Sequence, residues 1–161
     1  VVAESTDIDL AVLQTLESAP SIPAVLSVTS ATPRLGEKVF AVGFPAAAKL
    51  GVDAKFAEGS VSGLTGLNDA HLLQISVPVQ HGNSGGALVN EKGEAIGVIV
   101  SRTDLTEYEN VAFAISGATL KGFLRSFQTT KVPRTKTRTA AIGRAEAAAC
   151  RVIAVKPLTP D

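Results

Sequence analysis

The sequence predicts an all-β fold, and three observations carry that prediction. Fourteen glycines and eight prolines break the 161 residues into short pieces. Between them recur runs rich in Val, Ile and Leu, whose branched side chains suit a pleated surface better than a helix. Turn-forming residues stand where the runs end, at Gly51, at Gly66-Leu67-Asn68-Asp69 and at Asn90-Glu91-Lys92-Gly93. Apolar content of 45%, 19% charged residues and a mean hydropathy of +0.26 are those of a chain that buries a core rather than one that stays disordered.

Taken in order, residues 8–14 and 24–29 read as the first two strands. From Gly36 the pattern becomes dense, with strands expected over 38–44, 57–64, 71–79, 86–90, 94–101 and 110–115. Six strands of this length joined by tight turns can close a small barrel. A helix over about 117–127 follows, opened by Ser116 as N-cap and carrying Leu120, Phe123, Leu124 and Phe127 at helical spacing. Beyond it, 129–139 is rich in Thr, Lys and Arg without periodicity. A short helix is expected over 140–149, ahead of an apolar run at 152–155.

The formal net charge is zero, but it is unevenly spread. Up to residue 130 there are 8 basic and 13 acidic residues, whereas 131–161 holds 7 basic and 2 acidic. Such a tail can touch an acidic surface, but a solvated linker is the simpler reading, and no nucleic-acid partner is expected. No apolar run is long enough for a membrane span, and no signal peptide is legible. The lone Cys150 cannot form an internal disulfide. A start at Val1-Val2-Ala3 and the lack of methionine suit an excised product.

The chemistry is concentrated in Gly82-Asn83-Ser84-Gly85-Gly86, set between apolar runs. A serine nucleophile needs a turn poor in side chains, so that a substrate carbonyl reaches the hydroxyl while backbone N–H groups face its oxygen. A plain glycine-rich hairpin is the competing reading. Around this turn lie Thr6-Asp7-Ile8-Asp9-Leu10-Ala11-Val12-Leu13, Gly36-Glu37-Lys38-Val39-Phe40-Ala41-Val42-Gly43-Phe44-Pro45 and Glu58-Gly59-Ser60-Val61-Ser62-Gly63-Leu64. Leu73-Gln74-Ile75 precedes it, and Gly93-Glu94-Ala95-Ile96-Gly97-Val98-Ile99 and Val111-Ala112-Phe113-Ala114-Ile115 follow.

In order and spacing these pieces resemble the chymotrypsin-like serine peptidases, most closely the HtrA (Deg) branch, from about Asp7 to Leu124. The resemblance implies a double Greek-key β-barrel fold whose second barrel is complete and whose first is represented only by its last strands, with a short C-terminal helix. It divides the chain into 1–34, a remnant of the first barrel; 35–128, the second barrel and helix; and 129–161, a basic linker or tail.

The same resemblance makes Ser84 the nucleophile, Asp9 the triad aspartate, and the backbone of Gly82, Asn83 and Ser84 the oxyanion hole. It places substrate contacts at Pro78, Val79, His81, Ile99, Val100 and Ser101. Pro78 stands where a basic-specific enzyme would carry a carboxylate, so a small or medium apolar side chain is the expected preference. Asn83 replaces the aspartate that pairs with a freed N-terminus in zymogens, so activation by N-terminal cleavage is not expected.

The family's histidine lies upstream of the aspartate, and here only eight residues precede Asp9. His71 is expected to be structural, and His81 a substrate contact or an exposed loop residue. The expected function is serine endopeptidase action on a polypeptide, without metal or cofactor, by a chain nearly inert on its own. The alternative is a protease-like barrel that only binds peptides or proteins. A missing first barrel or another chain is expected to cover residues 8–29. Resemblance to the HtrA branch points outside the cytoplasm.

Overall fold

The computed structural model describes residues 1–15, 23–45, 51, 53–100, 111–127, 129 and 132–150. Its strands are β1 (Ala3–Ser5), β2 (Leu10–Val12), β3 (Ser27–Val28), β4 (Lys38–Gly43), β5 (Lys55–Gly63), β6 (Leu72–Ile75), β7 (Ala87–Asn90), β8 (Glu94–Val100) and β9 (Ala112–Ser116). Two helices follow, α1 (Gly117–Phe123), extended by a 3₁₀ turn at Leu124–Ser126, and α2 (Arg138–Ala148).

A closed antiparallel barrel of six strands is the centre of the molecule. Each strand pairs antiparallel with the next in the order β7, β4, β5, β6, β9, β8, and β8 also pairs with β7. Closure leaves no free edge in this ring. The interior follows from period-2 alternation: on β4, Val39 and Ala41 face inward with Val61, Leu73, Ile75, Leu88, Ile96, Ile99 and Ala114. Phe40 and Val42 face outward, into a second cluster with Val89. Gly59 lets β5 meet the chain leaving β6, because a Cβ there would stand 2.6 Å from the Val77 nitrogen.

The turns form where the sequence places them. Leu67 and Asn68 both take positive φ, 52° and 60°, between the bridged pair Gly66 and Asp69. At the β7–β8 turn the Asn90 side chain accepts from the N–H groups of Lys92 and Glu94, and Gly93 takes φ +74°. Helix α1 opens as expected, with the Thr119 N–H donating to Ser116 Oγ. Leu120 and Phe123 pack with Leu72 and Ile115 on one side and Leu10 on the other, which seats the β1–β2 hairpin against the barrel. No helix among the described residues is long and apolar enough to cross a membrane.

Four expectations change. β1 was not foreseen, its three residues being too few and too mixed to show periodicity. The strand expected over 71–79 ends at Ile75, since the Ser76 N–H donates to Ser60 O and the Ser60 N–H to Ser76 Oγ, turning the chain away. The segment expected over 24–29 gives only β3, and it pairs in parallel with β8 of the complete barrel through Ser27–Glu94 and Val28–Ala95. The start of β8, at Glu94 and Ala95, lies ahead of its pairing with β9, which begins at Gly97, and the backbone groups left there capture it. The apolar exposure expected of 8–29 is present at Leu13 (52%) and Val25 (44%). Ser101, residue 110 and the run at 152–155 lie outside the described residues.

Finally, the described part of the tail is docked rather than solvated. Ala141 and Ala145, four apart on α2, are buried against Phe40, Val42 and Val89. Arg134 pairs with Glu94 at 2.8 Å, and Arg138 pairs with Glu58 and lies 5.9 Å from the Phe56 ring centroid. Burial pulls the Glu94 pKa upward, but hydrogen bonds from Arg134 and Asn90 and the charges of Arg134 and Lys92 outweigh it and hold it below the ordinary value.

Glu94 therefore stabilises the fold above the ordinary glutamate range, and its contribution fades as pH falls through the depressed folded value. Replacing it by Gln is expected to cost about 1 kcal/mol near neutrality, modest because Arg134 is solvated. In thermal melts the gap between the wild type and Glu94→Gln should close in strong acid; a gap constant with pH would contradict this.

Candidate active site

The turn bearing Ser84 is fixed by its own backbone. The Asn83 N–H donates to Gln80 O and the Gly86 N–H to Asn83 O, each at 3.0 Å. The Gly85 N–H donates to Ile99 O and the Ile99 N–H to Gly86 O, each at 2.8 Å, tying the turn to β8. Gly82 takes φ +102° and Gly85 φ +81°, a region that L side chains avoid. A Cβ on Gly82 would overlap the Phe44 carbonyl oxygen, whereas one on Gly85 would meet open space. Asn83 is 5% exposed, its side chain lodged against Gly43, where a Cβ would stand 2.8 Å from Asn83 Oδ1.

Ser84 is exposed at the crest of this turn. Of the three amides expected to form an oxyanion hole, that of Asn83 is committed to Gln80 O. The N–H groups of Gly82 and Ser84 donate to no acceptor among the described residues. The turn thus leaves two donors on either side of Asn83 for an incoming oxygen.

Ser84 and Asp9 line one cleft of about 1070 Å³, together with His81. Asp9 reaches it from the β1–β2 turn, with φ +53°. A short polar side chain tolerates this conformation better than most. It is exposed rather than buried at the mouth of a strand, and Leu10, next along, is the residue that anchors the hairpin. Neither histidine is hydrogen-bonded to Asp9 or to Ser84. His71 lies away from the cleft, its Nδ1 3.1 Å from Thr119 Oγ1, its N–H donating to Asp69 Oδ1 and its carbonyl accepting from the Ser116 N–H. His81 is exposed in the turn three residues before Ser84.

The expected substrate contacts divide. His81 lines the cleft, but Pro78, Val79, Ile99 and Val100 do not. Ile99 is fully buried in the barrel interior and both its backbone groups are bonded within the turn. Alternation along β8 instead turns Val98 toward the cleft. Ser101 lies outside the described residues. Sequence reasoning also missed Ala145, Ala148, Ala149 and Cys150 at the end of α2, which line the same cleft. The small residues at 141, 145 and 149 were their only signal. No cluster of three or more metal-binding side chains occurs among the described residues.

Residues 1–98 match the family described as a trypsin-like peptidase domain. An uncharacterised protein of Sinorhizobium fredii is 38% identical over 147 residues, covering 86% of this chain and 23% of that protein. A serine protease HtrA-like protein of Staphylococcus aureus is 34% identical over 135 residues, 75% of this chain and 17% of its own length. The chain thus spans less than a quarter of the curated relatives it matches. Among solved structures, the serine endoprotease of Yersinia pestis superposes with TM-score 0.52 at 32% identity, over 63% of this chain and 35% of that one. An inactive form of Rv3671c from Mycobacterium tuberculosis gives TM-score 0.50 at 18% identity, over 66% and 56%, a likeness of fold alone.

The two glycines flanking Asn83-Ser84 should respond differently to an added methyl. Gly85→Ala should cost about 1–2 kcal/mol, the strain of positive φ alone. Gly82→Ala adds overlap with Phe44 O, so about 2–5 kcal/mol is expected in urea unfolding. Equal losses would show that the Gly82 contact is not as described.

Proposed function

Because the chain belongs to the trypsin-like peptidase domain family, we propose that it is the nucleophile-bearing part of a serine endopeptidase acting on polypeptides. The observation that carries this reading is the convergence of Ser84, Asp9 and two uncommitted amides on one cleft. Ser84 Oγ attacks the scissile carbonyl carbon and gives its proton to an imidazole. The developing oxyanion is held by the Gly82 and Ser84 N–H groups, where one such donor is worth about 10²- to 10³-fold in rate. The imidazolium then protonates the leaving amine as the C–N bond breaks, and water, deprotonated by the same imidazole, releases the acyl group from Ser84.

Asp9 orients that imidazole and stabilises its charged form. The proposed imidazole comes from outside this sequence: His71 is bonded to Thr119 away from the cleft, and His81 lines the cleft but is hydrogen-bonded to neither Ser84 nor Asp9. It belongs either to a longer polypeptide containing this one or to another chain, whose docking also covers Leu13 and Val25. The proposed preference for a small or medium apolar side chain at the cleaved bond rests on the resemblance that gives Pro78 the pocket-floor position, Pro78 itself lying outside the cleft that Ser84 lines.

A second reading rests on a specific observation: among the described residues no imidazole reaches Ser84. On that reading the barrel binds an extended peptide and cleaves nothing.

The two are separated in the polypeptide that includes the imidazole-bearing segment, treated with a peptide phosphonate. Covalent labelling is expected at Ser84 and should vanish in Ser84→Ala. Asp9→Asn should lower kcat by about 10⁴-fold with the fold intact. A folded protein that binds peptide but never reacts with the phosphonate would leave the binding module as the answer.

A further inference from the structure

We infer that residues 132–150 form a detachable strap that closes one side of the cleft and withdraws to open it. The inference rests on the reading of Ser84 and Asp9 only in that the cleft is taken to receive a substrate.

The strap is attached at several points, each weak. The Val132 N–H donates to Ser27 Oγ at 2.8 Å and that hydroxyl contacts Val132 O at 3.1 Å. The Thr135 N–H donates to Lys92 O at 3.0 Å. Arg134 (63% exposed) and Arg138 (44% exposed) make the ion pairs to Glu94 and Glu58. Exposed pairs of this kind are screened by salt and contribute little each. The apolar contact is small: Ala141 and Ala145 are buried, and Ile142 and Ala149 pack partly buried against the same cluster.

Helix α2 is also poorly built to stand alone. Arg138 sits at its positive end, no acidic residue occupies its first turn and no basic residue its last. Glu146 stands near its negative end, so both charges oppose the helix dipole. Gly143 lies mid-helix with nothing within 4 Å of its absent Cβ, so packing gains nothing from the lack of a side chain there. Eleven residues of this composition hold a helix through docking. Undocking and unwinding are therefore one event.

The consequence for the cleft is direct. Ala145, Ala148, Ala149 and Cys150 line it together with Asp9 and Ser84. An imidazole bridging Asp9 and Ser84 has to enter the same space. Withdrawal of the strap removes that lining and uncovers Phe40, Val42 and Val89.

Hydrogen exchange of the α2 amides and fluorescence of the apolar dye ANS read the strap without any catalysis. Arg134→Glu/Arg138→Glu should speed α2 exchange about tenfold, leave β4 and β7 protected, and raise ANS fluorescence. Gly143→Ala should do the reverse, slowing α2 exchange about two- to fivefold. Phosphonate labelling of Ser84, measured alongside in the polypeptide bearing the imidazole, should rise with the first and fall with the second. Exchange of α2 at the rate of the barrel strands, unmoved by either variant, would overturn the strap, as would a freed α2 with no change in ANS or labelling. Absence of labelling throughout, with exchange and ANS responding as stated, would sink the peptidase reading and leave the strap standing.

Discussion

The arrangement depends on the pair of hydrogen bonds between the Ser84 turn and β8, from the Gly85 N–H to Ile99 O and from the Ile99 N–H to Gly86 O. They fix the turn to a strand that is itself paired on both sides within a closed ring. Because Ile99 is buried among the barrel interior, its backbone cannot move without disturbing the core. The exposed hydroxyl thereby inherits the rigidity of the barrel. Gly82 serves the same end from the other side, since only a residue without Cβ passes the Phe44 carbonyl at that φ.

The barrel was legible because runs rich in Val, Ile and Leu recur between turn-forming residues. On β4 the sequence Lys38-Val39-Phe40-Ala41-Val42-Gly43 is apolar on both faces, and the structure explains why: one face fills the barrel, and α2 covers the other. Alternation alone cannot say what covers an outward apolar face, so the docking of residues 132–150 was not foreseen. Helix α2 itself was expected, but two alanines at i and i+4 give too weak a stripe to distinguish a docked helix from a solvated one. The parallel capture of β3 by β8 was hidden for a related reason. A two-residue pairing is decided by where β8 runs past its partner β9, and no local pattern records that.

The site was legible in part. The glycines around Ser84 marked a turn with special backbone geometry, and Asp9 and Ser84 line one cleft. Neighbouring residues of a strand face opposite sides, so Ile99 fills the barrel interior while Val98 lines the cleft. Asp9 lies exposed in the β1–β2 turn. A carboxylate so exposed orients an imidazole well only once another surface closes over it, which ties the electrostatics of the site to whatever segment brings the base.

The central claim is that the turn presents the Gly82 and Ser84 amides to a reacting oxygen. A crystal structure of the covalent adduct between Ser84 and a peptide phosphonate tests it most directly. The account predicts the phosphoryl oxygen about 2.7–3.1 Å from both nitrogens. A phosphoryl oxygen directed to solvent, with either amide turned away from it, would contradict the account.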